Sequence, residues 1–100
     1  MLEQLDDIAL VRLFKENKQR EQVFTAIVKR YQERMYWQIR RLVVSHDDAD
    51  DVMQNVFIKA WNALENFRED AKLFTWLYRI ATNESLTFLD QAKRRSSVSY

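Results

Sequence analysis

Between Leu73 and Lys93 the apolar residues recur at helical spacing, and on that helix Thr75, Arg79, Asn83 and Leu86 share one face, with Trp76 beside it and Thr82 at its border. A guanidinium, an amide and a hydroxyl on one face are able to contact phosphates and base edges. Stacking one base on an aromatic ring contributes about 1–3 kcal/mol, comparable with the cost of drawing a base out of a duplex. Such a face could hold a strand that is already open. It could not open a long stretch alone. Aromatics crowd the same region: Phe67, Phe74, Trp76, Tyr78 and Phe88, five of the thirteen in the chain, lie within 22 residues. Some must be core, yet Phe74, Trp76 and Tyr78 at alternate positions of one helix cannot all point inward.

Two further faces carry chemistry. Asp51, Gln54, Asn55 and Ile58 are spaced by three, four and seven residues, which predicts one outward stripe beside the core stripe of its helix. Acid, amides and one apolar side chain on such a stripe suit a partner helix. The neighbouring Asp47 and Asp48 have a plainer reading, since carboxylates in a first turn offset the helix dipole. Arg30, Arg34, Trp37 and Arg41 share a face of an earlier helix, with Lys29 and Arg40 beside them. That face is either a solvated basic surface or a place where guanidinium groups and an indole meet phosphates and unstacked bases.

Catalysis finds no support in these residues. His46 is the sole histidine and lies among four aspartates at a helix start, where capping or a surface position accounts for it. No Ser, His and Asp set has positional support. The cluster Asp47, Asp48, Asp50 and Asp51 lacks the glycine and loop spacing of a calcium site, so neither a metal nor another cofactor is expected. With no cysteine there are no disulfides and no thiolate chemistry, and with no glycine a phosphate-cradling loop is excluded.

The same absences decide the fold class. A chain without glycine or proline has neither hairpin turns nor helix breakers, which predicts an all-α, compact bundle whose breaks come from polar clusters and caps. Four helices are expected: one from Asp6 or Asp7 to a break near Glu16 to Gln19, a second from about Glu21 to Val44, a third after a capping box of Ser45 with Asp48 or of Asp47 with Asp50, and a fourth over about Leu73 to Lys93. The third has the cleanest stripe, with Ala49, Val52, Met53, Val56, Phe57, Ala60, Trp61 and Leu64 at steps of three and one. Glu65 to Lys72 breaks the period and reads as a loop. Arg94 to Tyr100 is basic and then serine-rich, as a linker start or frayed end would be. At 100 residues the chain fits one domain. It has neither a membrane-length apolar run nor a signal-peptide pattern at its start, so the cytoplasm is the expected compartment. Net charge is only +1, but Arg12 to Arg41 carries nine basic and three acidic residues, an excess of six positive charges ahead of the aspartate cluster. Two faces for two partners are expected from that asymmetry.

The segments Asp48-Ala49-Asp50-Asp51-Val52-Met53-Gln54-Asn55-Val56-Phe57-Ile58-Lys59-Ala60-Trp61 and Thr75-Trp76-Leu77-Tyr78-Arg79-Ile80-Ala81-Thr82-Asn83 resemble region 2 of bacterial RNA polymerase sigma factors, sigma-70 family, of the extracytoplasmic-function (ECF) type. The resemblance covers residues 1–95 and leaves 96–100 as linker or tail. It implies that the first segment docks on the clamp helices of the largest β-type subunit of core RNA polymerase, a role carried over onto Asp51, Gln54, Asn55 and Ile58. It implies further that the loop and the second segment melt and read the minus-ten promoter element on the single-stranded non-template DNA. Those roles fall on Phe67, Arg68, Glu69, Asp70, Ala71, Lys72, Thr75, Trp76, Arg79, Asn83 and Leu86. An anti-sigma factor is a further partner known for the family. Three positions depart from the family's usual pattern: Asn55 where glutamate is usual, Glu69 where glycine is usual, and Phe74 where a small or polar residue is usual. Sigma factors of this type also use a carboxy-terminal helix-turn-helix domain, which lies outside these residues, so the promoter-melting domain alone is expected. The alternative is an all-helical interaction module that binds a protein helix and no DNA.

Overall fold

In the computed structural model, residues 1–98 are described, with side chains through Arg95. A 3₁₀ turn, Leu2–Gln4, leads into α1 (Asp7–Lys15), α2 (Arg20–Arg40) and α3 (His46–Ala63). A second 3₁₀ turn, Leu64–Asn66, leads through a loop into α4 (Leu73–Val98). The all-α bundle of four helices stands as expected.

Each boundary has a local cause. Asp6 caps α1 by accepting a hydrogen bond from the Ala9 amide at 2.9 Å, and Ser45 caps α3 by accepting from the Asp48 amide at 3.0 Å. Without glycine, the turn between α1 and α2 places Asn17 and Gln19 in the left-handed region, at φ 59° and 52°. Asparagine tolerates that region; glutamine carries more of the steric cost. Arg20 compensates locally. Its Nε donates to the Phe14 carbonyl at 2.8 Å and its guanidinium lies 4.5 Å from the centre of the Phe14 ring.

The core draws on every helix. Leu10, Val11 and Phe14 of α1 meet Val23, Ile27, Met35 and Ile39 of α2, and Val52, Val56 and Ala60 of α3 meet Leu73, Leu77 and Ala81 of α4, all buried. The small side chains Ala49, Ala60, Ala81 and Ser85, each fully buried, let α3 and α4 approach closely. At one end Phe14, Phe24, Phe57 and Trp61 form a cluster, with Trp61 edge-on to both Phe14 and Phe24 at 5.3 Å.

Two expectations change. Helix α2 ends at Arg40 and not near Val44: the Leu42 amide closes a tighter turn onto the Ile39 carbonyl, which also accepts from the Val43 amide, and Val44 is exposed. Helix α4 runs to Val98 instead of ending near Lys93, carried in part by an Asp90–Arg94 pair one turn apart at 3.0 Å. Ser99 and Tyr100, at the end of the expected tail, lie outside the described residues. No helix among the described residues is long and apolar enough to cross a membrane.

Candidate nucleic-acid interface

The face predicted on α4 forms. Thr75, Arg79, Asn83 and Leu86 are all exposed in one line, opposite the buried Leu77, Ala81 and Ser85. Leu86 adds an apolar side chain to this line, 53% exposed. On one flank of this line Trp76 is half-buried, its ring 5.2 Å from that of Phe67. On the other flank Tyr78 is 44% exposed, and Thr82 is held from α2 by Gln38, whose Nε2 donates to Thr82 Oγ1 at 2.8 Å and to the Tyr78 carbonyl at 3.1 Å.

The loop separates into an anchor and an exposed arc. Phe67, expected among the strand-contacting residues, is only 5% exposed and belongs to the core, because its ring fills the space between Trp76 and the bundle. Arg68, Glu69, Asp70, Ala71 and Lys72 are exposed. Three contacts from the start of the chain hold this segment in place. Arg20 pairs with Glu65 at 3.3 Å, Lys15 Nζ donates to the Phe67 carbonyl, and Arg12 pairs with Glu69 at 3.4 Å. None of these was legible in spacing, since the partners lie 45 residues or more apart.

A cavity of about 470 Å³ opens beside the loop, on the side of α1 rather than next to Trp76 and Asn83. Ile8, Val11, Tyr31, Leu73 and Phe74 contribute apolar lining, and Asp6, Asp7, Glu69 and Asp70 bring carboxylates to it. Asp7 is engaged already: it accepts from the Tyr31 hydroxyl and from Arg30 Nη1 at 2.8 Å, while Arg30 Nη2 also donates to the Leu5 carbonyl at 2.6 Å. Burial, reinforced by the Asp7 carboxylate at its hydroxyl, pushes the Tyr31 phenol up to about 12. This network ties the amino-terminal turn to α2.

On α3, Asp51, Gln54, Asn55 and Ile58 are exposed together, Ile58 at 59%. The stripe faces directly away from the bundle and does not run beside the core stripe as expected. At 100° per residue Asp51 and Ile58 fall roughly opposite Ala49 and Val56. His46 lies with Nδ1 2.5 Å from the Tyr36 hydroxyl and Nε2 3.1 Å from Asp50, bracing the start of α3 against the end of α2. Among the described residues no group of three or more His, Cys, Asp or Glu side chains is placed to hold a metal ion.

The glycine-free bundle thus presents two outward surfaces, one of acid and amides on α3 and one of arginine and asparagine with flanking aromatics on α4. The model of the family described as Sigma-70 region 2 matches residues 27–95. The chain belongs to that family, as an ECF-type sigma-70 region 2 domain. It is 40% identical over 95 residues to the ECF RNA polymerase sigma-E factor of Haemophilus influenzae and 42% identical to that of Escherichia coli, in each case across 95% of this chain. The chain spans about half the length of these curated relatives, 49% and 48%. A solved structure of an engineered region 2 of sigmaE in complex with GTAAAA superposes with a TM-score of 0.82 at 41% identity, covering 95% of this chain and 97% of that one.

Proposed function

We propose that this chain is the part of an ECF sigma factor that holds core RNA polymerase with α3 and the opened non-template strand of a promoter minus-ten element with α4 and its preceding loop. The observation that carries the reading is the exposed line Thr75, Arg79, Asn83 and Leu86 running alongside the exposed arc Arg68 to Lys72. The likeness to a region 2 that was solved with a short DNA strand supports the same reading. Asp51, Gln54, Asn55 and Ile58 are the surface for the clamp helices of the largest β-type polymerase subunit, and an anti-sigma factor is a partner that would compete for such faces. Its place of work is then the cytoplasm, with core polymerase.

Each part of the strand site has a distinct chemical task. Arg79 meets a phosphate, Asn83 and Thr75 meet polar edges, and Trp76 with Leu86 offers apolar surface to bases. The cavity beside the loop takes one unstacked base on its apolar lining. Of the lining carboxylates only Asp70 has no partner among the described residues, and it accepts from an exocyclic amine, which favours cytosine or adenine there over thymine. Fluorescence titration with single-stranded GTAAAA and with the same sequence in a duplex tests the proposal. Saturable binding that prefers the single strand is expected. Preference for duplex contradicts the proposal, and no binding to either leaves the helical protein-interaction module as the reading.

A further inference from the structure

The basic face of α2 is not used by the docking stripe or by the strand site on α4. It does not stand alone, however: Arg34, Trp37 and Gln38 of α2, Arg41 just past its end, and Phe74 and Tyr78 of α4 line one groove of about 370 Å³. We infer that this groove is a second subsite for single-stranded DNA, in which a base stacks on Trp37 or Tyr78 while Arg34 and Arg41 hold the adjoining phosphates. The inference rests on the strand-binding reading above and extends it from α4 across to α2.

Three observations carry it. The first is exposed aromatic surface: Trp37 is 56% and Tyr78 44% exposed, although each packs edge-on to a neighbour, Tyr36 at 5.1 Å and Phe74 at 5.9 Å. Those contacts fix the rings and leave area free, as a stacking platform requires. The second is charge. The Arg34 guanidinium is seated 4.0 Å from the centre of the Phe74 ring, and among the described residues neither Arg34 nor Arg41 has a carboxylate within 4 Å. Glu33 is the one acid of the lining, and helical geometry places it beyond Trp37, on the edge of α2 away from α4. The third is an unsatisfied acceptor. Gln38 is only 6% exposed, its Nε2 is committed to α4, and its Oε1 has no donor among the described residues. A base amine or a bridging water entering the groove would supply one.

Continuity with α4 identifies the occupant. Tyr78 borders the line of Thr75, Arg79 and Asn83, so a strand leaving that line toward α2 meets the groove next. A sequence-tolerant site is expected, because every base has a stacking face and Arg34 and Arg41 address only the backbone.

A length series separates this subsite from the first. The chain, its Trp37→Ala variant and its Arg79→Ala variant are titrated with GTAAAA and with GTAAAA extended by four thymidines at either end. Trp37→Ala is expected to weaken the better-binding extended strand about 10-fold (about 1.4 kcal/mol) and the hexamer less than about 2-fold. Arg79→Ala is expected to weaken both. If Trp37→Ala leaves both unchanged while Arg79→Ala weakens both, the groove inference is wrong and the strand-binding reading stands; if neither variant changes either strand, that reading fails as well. Equal loss on both lengths from Trp37→Ala also overturns a separate subsite. Thermal denaturation accompanies each variant, and where Trp37→Ala lowers the melting temperature, Arg41→Gln must reproduce the split. Competition at the groove by a polyglutamate peptide, with none by oligothymidylate, would assign the groove to an acidic protein segment and contradict the inference.

Discussion

Lys59 of α3 and Glu84 of α4 face each other with Nζ 2.5 Å from Oε2; the carboxylate is nearly buried and the ammonium largely in solvent. The pair adjoins Ile58 in sequence on one side and Asn83 on the other, so it clamps the helix carrying the acid-and-amide stripe to the helix carrying the exposed line from Thr75 to Leu86. Removing the two partners is not equivalent. Lys59→Met leaves a nearly buried carboxylate without its cation and is expected to cost about 1–3 kcal/mol. Glu84→Gln leaves a neutral amide facing an exposed ammonium and is expected to cost less. Urea denaturation of both variants checks the order, and an equal or smaller loss for Lys59→Met contradicts it.

The Tyr31 hydroxyl predicts a limit at alkaline pH. Its pKa is raised from 10.0 to about 12 in the folded chain, first by burial and then by Asp7. The unfolded chain therefore loses this proton first as pH rises. The stabilisation linked to it is complete below pH 10 and disappears as pH climbs toward 12, on the order of 2–3 kcal/mol over that window. Denaturation midpoints from pH 9 to 12 should fall more steeply for the parent chain than for Tyr31→Phe. Parallel curves would show that the phenol is not protected.

Asp51 projects straight out of the bundle with no cation within 4 Å among the described residues, so its reversal tests docking without disturbing the fold. Asp51→Arg is expected to weaken binding to core polymerase at least about 5-fold, near 1 kcal/mol, with melting temperature unchanged. A folded variant with parental affinity removes α3 from the interface.

How much of this was legible in the sequence depended on range. The helix starts near Asp6 or Asp7 and near Ser45 or Asp47, the stripe from Ala49 to Leu64 and the line from Thr75 to Leu86 each depend on neighbours within a turn or two, and local pattern places them to within two residues. The absence of glycine and proline excluded strands and phosphate loops, yet it did not say that Asn17 and Gln19 would take the left-handed turn. Long-range contacts had no signal at all. Arg12, Lys15 and Arg20 counted only toward the basic excess between Arg12 and Arg41, and only the fold brings them to Glu65, Phe67 and Glu69. For the same reason the pairing of Glu69 with Arg12 had no signal, and Phe67 was expected to contact the strand although its ring packs under Trp76. The stripe of Asp51 to Ile58 was found but set beside the core, an error of angle that a helical projection of Val52, Val56 and Ala60 would have removed.

The central claim, that α4 and its loop hold a single DNA strand, is tested most directly by titrating single-stranded GTAAAA into the parent chain and into an Arg79→Ala, Asn83→Ala double variant at several salt concentrations. Both side chains are exposed, so the fold should be unaffected. The account predicts an affinity at least about 10-fold lower in the double variant, because a charge-assisted bond to phosphate and a base-edge bond are both lost. It also predicts a salt slope shallower by about 0.7, the share of one neutralised phosphate on a single strand. A well-folded double variant that binds with parental affinity and parental salt dependence contradicts it.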